Sequence, residues 1–385
     1  MPNDPVFSIA VPAYRQSQYL GDALASLAAQ CPKTQVSVMD ATPDDSVQRV
    51  VAEQNLKLAY ARHGPDEGQS AAILEGWERT DGDVLGWLCA DDCLFPDALA
   101  AVEAVFREHQ HVDVVYGDGV LIDRDGHFIR YFPSIRRELR NIPRECCITQ
   151  PSCFVRRSAV ERVGGLRTDL AYTMDWDLWT RLYLAGCRFR YLPMPLSASR
   201  MHSGTKTTSN SRARLAEIWK HLVRYNSRRD ALRSMAGFVL APLMYSELGS
   251  GRYPTLGGVC RRLILASRRV RGTSHDVQSL YGLDVVSNGV VGQCQIHIPY
   301  YRQGLPTHLV VYAEPPVQLE AKHEGSLMPA FDPGSTAERV DGTFTFQLPI
   351  GAKRLRQSYA FVIRSPTRQP WTLRGARIMT RGTHV

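Results

Sequence analysis

Residues 7–109 alternate short apolar runs with stretches of helical period, and this alternation restricts the possible folds more than any other feature. The apolar runs of strand length are 7–12, 35–39, 56–61 and 84–89. The stretches of helical period are 19–29, 46–53, 69–79 and 96–109. Strands that alternate with helices are typical of βαβ units, whose mainly parallel sheet is covered by helices on both faces. The sequence therefore predicts an α/β domain.

The pattern changes twice further along the chain. Residues 113–123 continue with strand character, and Asp125–Gly126 predicts a hairpin, so the sheet gains antiparallel members. Residues 209–271 have helical character, whereas the stretches after Gly272 are typical of β-strands separated by Gly and Pro. We therefore predict three regions. They are an α/β domain at 1–208, a basic helical segment at 209–273 and an all-β, sandwich-like domain at 274–385.

The positive charge is concentrated in one segment. The net charge is +8, and residues 206–273 contain 14 Lys and Arg against 3 Asp and Glu. This local bias argues against a nucleic-acid-binding protein and favours a local anionic partner. Two interpretations stay open: a basic amphipathic helix on an anionic membrane surface, or a solvated helix face packed on the first domain.

The sequence also indicates where the protein acts. It contains no window of 18 apolar residues, and its N-terminus lacks the basic and apolar parts of a signal peptide. The nine cysteines include no CxxC pair, so we expect reduced thiols, mostly in the core. We expect a cytoplasmic, soluble protein, and the basic segment leaves peripheral attachment to the inner face of the plasma membrane open.

Two adjacent aspartates, Asp91 and Asp92, follow the apolar run 84–90. In open α/β sheets the ligand crevice lies beyond the carboxyl ends of the strands, where carboxylates and substrate phosphates together hold hard divalent cations. The pair therefore favours a metal and nucleotide site. The alternative is a turn, or the N-cap of the helix that begins near Pro96.

Seven segments resemble, in the right order, the motifs of one enzyme family. They are 8–16, 38–46, 64–77, 82–92, 149–158, 172–182 and 199–207. Together they are similar to glycosyltransferase family 2, the inverting nucleotide-sugar transferases with a GT-A fold. The resemblance implies a Rossmann-like GT-A domain with a mixed, mainly parallel sheet, a nucleotide-sugar donor and a divalent cation, Mn²⁺ or Mg²⁺.

On the nucleotide side, the resemblance gives roles to residues that follow the first two strands. Pro12, Ala13 and Tyr14 occupy the opening strand and loop, which contact the nucleotide base in the family. Asp40 occupies the first position of an acidic pair that contacts the base, and Ala41 replaces the second acid. This departure leaves Asp40 as the expected base contact.

Near the phosphates, the resemblance implies a further set of ligands. Gly68, Gln69 and Ser70 match a subgroup motif at the start of a helix, whose free N–H groups favour anions. The alternative there is an N-capped helix after a glycine turn.

The aspartate pair receives separate roles from the same resemblance. Asp91 would contact the ribose or the phosphates, and Asp92 would hold the cation. His202 is a candidate ligand of the metal or the diphosphate, while Arg200 or Lys206 would offset phosphate charge.

The resemblance also assigns a catalytic base. In the family an aspartate at the start of the helix in segment 172–182 takes the proton of the attacking hydroxyl, and that role falls on Asp175. Met174 stands where many members have a further acid. The alternative is that Asp175 and Asp177 only cap the helix and offset its dipole.

These inferences predict a metal-dependent inverting glycosyltransferase that moves a sugar from a nucleotide-sugar to a hydroxyl acceptor. We expect a saccharide or lipid-linked saccharide acceptor in bacterial surface polysaccharide or lipopolysaccharide synthesis. One alternative is a non-catalytic polysaccharide-binding scaffold, for which Ala41 and Met174 would be signs of decay. Nucleotidyl transfer lacks support, because no glycine-rich loop bearing Lys or Arg follows the first strand.

Overall fold

A computed structural model of the protein describes most of its N-terminal half and the strands of its C-terminal part. The described residues are 4–54, 56–132, 139–206, 212–245, 281–283, 289–290, 292–298, 306–314, 319–324, 338–340, 343–347, 359–365 and 370–380. They form two compact units. The first comprises the described residues of 4–120 and 139–231, and the second comprises 121–132 and those from 232 onwards.

The helices and strands are numbered along the chain. Up to residue 245 they are β1 (Phe7–Ala13), α1 (Ser17–Ala28), β2 (Thr34–Asp40), α2 (Ser46–Glu53), β3 (Tyr60–His63), α3 (Gln69–Glu78), β4 (Val84–Trp87), β5 (Cys93–Leu94), α4 (Ala98–Glu108), β6 (Val114–Ile122), β7 (Phe128–Tyr131), β8 (Cys153–Arg156), α5 (Arg157–Arg162), α6 (Met174–Leu184), β9 (Phe189–Arg200), α7 (Arg212–Tyr225) and α8 (Arg228–Tyr245).

The first unit is built on a mixed, mainly parallel sheet. Its strand order is β6-β8-β4-β1-β2-β3, and β9 pairs with both β5 and β6. The strands β4, β1, β2 and β3 run parallel, whereas β8 is antiparallel to its two neighbours. The predicted α/β fold is confirmed.

Helices cover both faces of this sheet because successive strand residues point to opposite sides. In β1, Ile9 and Val11 enter one hydrophobic core, together with residues of α1 and α4. Ala10 enters the other core, with residues of α3 and α6. Gly76 of α3 lets that helix approach closely, since a Cβ there would lie 2.9 Å from the Cβ of Ala10.

The register brings the carboxyl ends of the parallel strands together. Ala13, the last residue of β1, lies opposite Asp40, and Asp40 lies opposite His63 at the end of β3. On the other side of β1, Ala10 lies opposite Trp87 at the end of β4. The polar residues that end or follow these strands therefore share one edge of the sheet.

Most predicted elements are present, and their ends differ by a few residues. The helix predicted at 46–53 is confirmed at Ser46–Glu53, while the third strand, predicted at 56–61, forms at Tyr60–His63. The turn predicted at Asp125–Gly126 is confirmed, since Gly126 has a φ of 88° and its N–H donates to the carbonyl of Asp123.

The second unit contains only strands in its described residues after 245. They are β10 (Gly289–Val290), β11 (Gln293–Ile298), β12 (Pro306–Glu314), β13 (Glu320–Glu324), β14 (Glu338–Val340), β15 (Thr343–Gln347), β16 (Tyr359–Arg364) and β17 (Trp371–Thr380). One sheet includes β14-β15-β12-β17-β7, with β10 beside β17, and the other has the order β11-β16-β13. Tyr131 of β7 links the two sheets through its hydroxyl, which hydrogen-bonds to His297 Nδ1 of β11 at 2.6 Å. The predicted β-rich C-terminal region is confirmed.

The predicted basic segment is described only in part. Its first helix, α7, packs within the first unit, where Ile218 and Leu222 are buried. The arginine-rich run at 261–271 lies outside the described residues. Among the described residues, no helix is long and apolar enough to cross a membrane. The regional limits at 208 and 273 stay a prediction.

Arg157, at the start of α5, ties the end of α3 to the sheet. Its guanidinium donates to the carbonyls of Gly82 (2.8 Å), Trp77 (3.0 Å) and Thr80 (3.0 Å), and to Ser8 Oγ (3.1 Å). Carbonyls at and beyond a helix C-terminus lack intrahelical partners, so a cation there both satisfies them and offsets the helix dipole.

We expect Arg157→Ala to lower the free energy of unfolding by about 3 kcal/mol, because several carbonyls lose a charged donor. Urea unfolding followed by tryptophan fluorescence measures the change. Arg162→Ala is the matched control, since this half-exposed arginine makes a long 3.5 Å contact with Asp113 and should contribute less than about 1 kcal/mol. Equal losses in the two variants would contradict this role of Arg157.

Candidate active site

The end of β2 carries a buried acid whose oxygens both have partners. Asp40 is 2% exposed; its Oδ1 accepts the backbone N–H of Thr42 at 2.8 Å, and its Oδ2 lies 2.6 Å from His63 Nδ1. His63, at the end of β3, is about one-third exposed. The exposed polar group at this edge is therefore the imidazole, with Asp40 behind it.

The other predicted base-contacting residues lie beside this pair. Pro12 and Ala13 are buried in β1, and the side chain of Tyr14 is 56% exposed just beyond it. Arg15 follows with a φ of 56°, and its N–H donates to Thr42 Oγ1. The turn thus presents the tyrosine ring at the edge where the strands end.

The predicted phosphate motif splits into residues with different surroundings. Gly68 has a φ of 107°, a conformation that favours glycine, directly before α3. Gln69 donates through Nε2 to Cys89 Sγ at 3.2 Å and so lies toward the aspartate pair. Ser70 is buried instead, and its hydroxyl donates to the carbonyl of Leu170.

The two aspartates after β4 form the most acidic part of the site. Asp91 and Asp92 are both buried, and one ligand atom from each of these residues and from Cys89 lies within 4.8 Å of the others. Burial and the neighbouring Asp91 raise the pKa of Asp92 well above its usual range. A cation between the carboxylates would remove their repulsion.

The last residues of β9 and those after it hold this pair in place. Arg200 donates its backbone N–H to Asp92 Oδ1 at 3.0 Å, while its guanidinium donates to the carbonyl of Asp91 and to Asp22. His202 Nε2 lies 2.9 Å from Asp91 Oδ2, and its ring lies 4.9 Å from that of Tyr19. Arg200 is 2% exposed, so it supports the turn from below.

Lys206 provides a cation at the opening of the site. Its Nζ donates to Gln69 Oε1 at 3.0 Å, and its charge lowers the pKa of Cys89 against the larger effect of burial. Of the two cations considered for the phosphates, the exposed Lys206 is the one available to a ligand, whereas Arg200 is enclosed.

Asp175 lies in the first turn of α6. Its Oδ1 accepts the N–H of Trp176 at 2.7 Å. Burial raises the pKa of Asp175 to about 6; the hydrogen bond from Trp176 lowers it, and the charge of Glu217 adds to the rise. Burial also raises the pKa of the Cys89 thiol, and the charges of Asp92, Asp91 and Asp175 add to that rise. The charge of Asp175 therefore acts on the same thiol as the charges of the aspartate pair.

Asp177, two residues later, has a structural environment. It is 1% exposed, and its carboxylate accepts Arg181 Nε at 2.7 Å and the hydroxyl of Tyr225 at 2.8 Å. Its charge is therefore neutralised within the protein. The two acids of this helix differ, because one has an ion-pair partner and the other has a raised pKa.

Sequence reasoning missed three residues that shape the site. They are His63, Gln150 and Glu217. The position of His63 at the end of a parallel strand was a usable signal, since such ends point to the ligand crevice. Gln150 bridges Cys89 and the carbonyl of Trp87, and no sequence pattern indicates that contact.

The fold is an α/β domain with a cluster of acids at the carboxyl ends of its parallel strands. Residues 8–164 match the family model described as Glycosyl transferase family 2. This part of the chain is therefore similar to that family, and the match includes the predicted positions from Pro12 to Asp92.

Curated relatives are similar to parts of this chain. An uncharacterised glycosyltransferase of Rickettsia conorii is 24% identical over 249 residues, which cover 59% of this chain and 39% of the relative. The O-antigen biosynthesis protein RfbC of Myxococcus xanthus is 26% identical, covering 66% and 20%. A PGL/p-HBAD biosynthesis glycosyltransferase of Mycobacterium bovis is 27% identical, covering 46% and 70%. The chain spans about two fifths of the first relative's length.

Among solved structures, that of S. aureus TarS 1–349 in complex with UDP-GlcNAc has a TM-score of 0.48 at 20% identity. It covers 62% of this chain and 73% of its own. The mannosyltransferase PcManGT of Pyrobaculum calidifontis, in complex with GDP-Man and Mn²⁺, has a TM-score of 0.44 at 19% identity, covering 72% and 85%.

The raised pKa of Asp175 predicts a stability effect with a definite pH dependence. Between the usual aspartate pKa near 3.8 and about 6, the unfolded chain releases a proton that the folded chain keeps. Stability is therefore lost as pH rises through this window, and Asp175→Asn removes the loss. We expect the melting temperature of Asp175→Asn relative to the unmodified protein to rise from pH 4 to pH 7. A difference that does not change with pH would contradict the assignment.

Proposed function

We propose that this protein is a metal-dependent, inverting glycosyltransferase that transfers a sugar from a nucleotide-sugar to a hydroxyl group. The observation that carries the proposal is the cluster of Asp91, Asp92 and Cys89, whose thiol also experiences the charge of Asp175. It combines a pair suited to a cation with a separate carboxylate whose pKa of about 6 suits a general base. The similarity to glycosyltransferase family 2 supports the same reaction class.

The residues present fit a hard divalent cation. Asp92 and Asp91 offer carboxylate oxygens in a group that also includes the Cys89 thiol, and we propose His202, whose Nε2 lies 2.9 Å from Asp91 Oδ2, as a further ligand. Such a set suits Mn²⁺ or Mg²⁺. When bound, the cation would neutralise charge on the leaving diphosphate.

The donor would lie along the edge where the parallel strands end. Tyr14 and the pair of Asp40 and His63 would contact the nucleoside, with Pro12 and Ala13 forming the floor beneath it. Gln69 and Lys206 would contact the diphosphate, and Gly68 allows the backbone to approach it closely. Because Ser70 bonds to Leu170, we propose that it acts on the protein rather than on the donor.

Transfer would proceed by a single in-line displacement. The carboxylate of Asp175 takes the proton of the acceptor hydroxyl as its oxygen bonds to the anomeric carbon. The bond between that carbon and the diphosphate oxygen breaks, and the nucleoside diphosphate leaves with the electron pair. Attack from the opposite face inverts the configuration. A base with a pKa of about 6 is ionised at neutral pH and still basic enough to accept a proton.

We also propose an acceptor and a location for this protein. The relatives named for O-antigen and PGL/p-HBAD biosynthesis support a saccharide or lipid-linked saccharide acceptor in bacterial surface polysaccharide or lipopolysaccharide assembly. A cytoplasmic enzyme whose segment 209–273 contacts the anionic inner face of the plasma membrane would meet such an acceptor. The packing of α7 against the first unit leaves α8 and the residues after it for that contact.

Asp175→Asn tests the proposed function. We expect the variant to fold and to bind nucleotide, and to lose transfer by about 10³-fold, because the amide cannot accept the proton. Unmodified protein should lose activity below about pH 6 as Asp175 becomes protonated. A donor screen over UDP-, GDP- and dTDP-sugars with Mn²⁺ supplies the assay, and calorimetry supplies binding.

The same experiments separate the competing functions. A scaffold with a degenerate transferase domain would show no metal-linked nucleotide binding and no donor turnover. Full activity of Asp175→Asn would contradict the base assignment alone. Asp177→Asn is a matched control in the same helix. Because Asp177 is paired to Arg181, we expect this variant to lose stability. Its pH–rate profile should keep the acid limb, which is the loss of activity below about pH 6.

Lys206→Met tests the diphosphate contact. We expect nucleoside diphosphate affinity to fall about tenfold, with little change for the nucleoside monophosphate, because one charge-assisted contact to the outer phosphate is lost. Calorimetry with Mn²⁺ measures both ligands. Lys57→Met, which removes an exposed lysine after α2, is the control. Equal weakening for both nucleotides would contradict the contact.

A further inference from the structure

The segment before α6 is held by a single carboxylate from another helix. Glu217 of α7 accepts the backbone N–H of Ala171 through Oε2 at 3.0 Å. Its Oε1 accepts the N–H groups of Tyr172 and Thr173 at 2.8 and 2.7 Å, and the hydroxyl of Thr173 at 2.9 Å. Four donors within three successive residues therefore converge on one side chain.

These contacts hold the residues just before the helix. Thr173 is the N-cap residue of α6, yet its side chain makes no capping bond to the helix and donates to Glu217 instead. A carboxylate near a helix N-terminus also interacts favourably with the helix dipole. The N-cap of α6, two residues before Asp175, is thus fixed by a residue more than 40 positions later.

Glu217 is itself firmly placed. The adjacent Ile218 is 2% exposed and Leu222, one turn further, is fully buried. From the other side of the segment, Ser70 of α3 donates to the carbonyl of Leu170 and contacts the sulfur of Met174. The residues before Asp175 are clamped between α3, at the proposed donor side, and α7.

We propose that Glu217 is the positioning residue for the catalytic base, holding segment 171–173 so that the carboxylate of Asp175 faces the acceptor hydroxyl. The inference rests on the proposed function, in which Asp175 is that base. It assigns α7, which the sequence places in the basic segment, a direct part in the transfer site. A misplacement of about 1 Å at a reacting group can reduce the rate by about 10²-fold.

The charged groups around Asp175 affect its pKa, so the proposed role of Glu217 predicts a change in the pH dependence of the rate. Glu217 acts on Asp175 from α7, and the charge of Asp175 acts on the thiols of Cys89, Cys146 and Cys153, whose pKa values are raised chiefly by burial. Arg214 of α7 lies beside Cys146. The thiols are uncharged at neutral pH, because burial raises their pKa values. Glu217 supplies the negative charge that raises the pKa of Asp175 further.

Glu217→Gln separates positioning from simple stabilisation. The amide keeps one acceptor oxygen but turns an N–H₂ group toward a donor and removes the charge. We expect kcat to fall about tenfold with donor affinity unchanged, and the acid limb of the pH–rate profile to move below pH 6. Glu217→Ala should lose about 100-fold in kcat. Hydrogen exchange of the peptide containing 171–173 should become at least tenfold faster in both variants.

Asp169→Asn is the matched control. It removes one negative charge close to the same segment, but Asp169 is exposed and pairs with Arg167. We expect its kcat, its acid limb and its exchange at 171–173 to equal those of the unmodified protein.

The outcomes distinguish a failure of the positioning role of Glu217 from a failure of the proposed function. If Asp175→Asn is inactive while Glu217→Gln keeps the kcat and acid limb of the unmodified protein, the positioning role is overturned and the proposed function stands. If Asp175→Asn is fully active, the base assignment fails first. A loss of melting temperature in Glu217→Gln with unchanged kcat, acid limb and exchange also overturns the inference, since a purely structural role predicts that result.

Discussion

The burial of two adjacent carboxylates is the constraint on which the rest of the site depends. Asp91 and Asp92 are each less than a tenth exposed, and one carboxylate oxygen of each lies within 4.8 Å of the other. Two buried negative charges this close repel each other and need compensation. The protein supplies part of it through Arg200, which is enclosed beneath the turn, and through His202. The remaining negative charge favours a cation at the place where a diphosphate would also lie.

This compensation explains why the site draws on distant parts of the chain. Arg200 and His202 come at the end of β9, more than 100 residues after the pair, and the guanidinium also bonds to Asp22 of α1. A third carboxylate, that of Asp175, lies in a helix whose N-cap is held by Glu217, and its charge acts on the same thiol, Cys89. The aspartate pair and Asp175, the proposed base, are thus supported by different segments, so substitution can alter the two parts of the proposed site separately.

Sequence reasoning predicted the parts that local patterns determine. Alternating apolar runs and helical periods fixed the α/β class, and strand ends followed by Asp40 and Asp91 indicated one ligand edge. It could not predict the partners that close in space only after folding. The contact between Ser70 and Leu170 spans 100 residues, and that between Glu217 and Thr173 spans 44. Neither has a sequence signal, because each depends on how helices pack on the sheet rather than on its own neighbours.

The two acids of α6 show how packing decides between a structural and a chemical role for identical residues. Asp177 is the more buried of the two, but Arg181 one turn later on the same helix and Tyr225 of α7 bond to both of its oxygens. For Asp175, burial and the negative charge of Glu217 disfavour the ionised form. Asp175 does make a contact of the capping kind, since its Oδ1 accepts the N–H of Trp176, but this bond offsets only part of the effect of burial on its pKa. Among the described residues, the two acids therefore differ in what acts on their charge: Arg181 pairs with Asp177, whereas burial and the negative charge of Glu217 act together on Asp175.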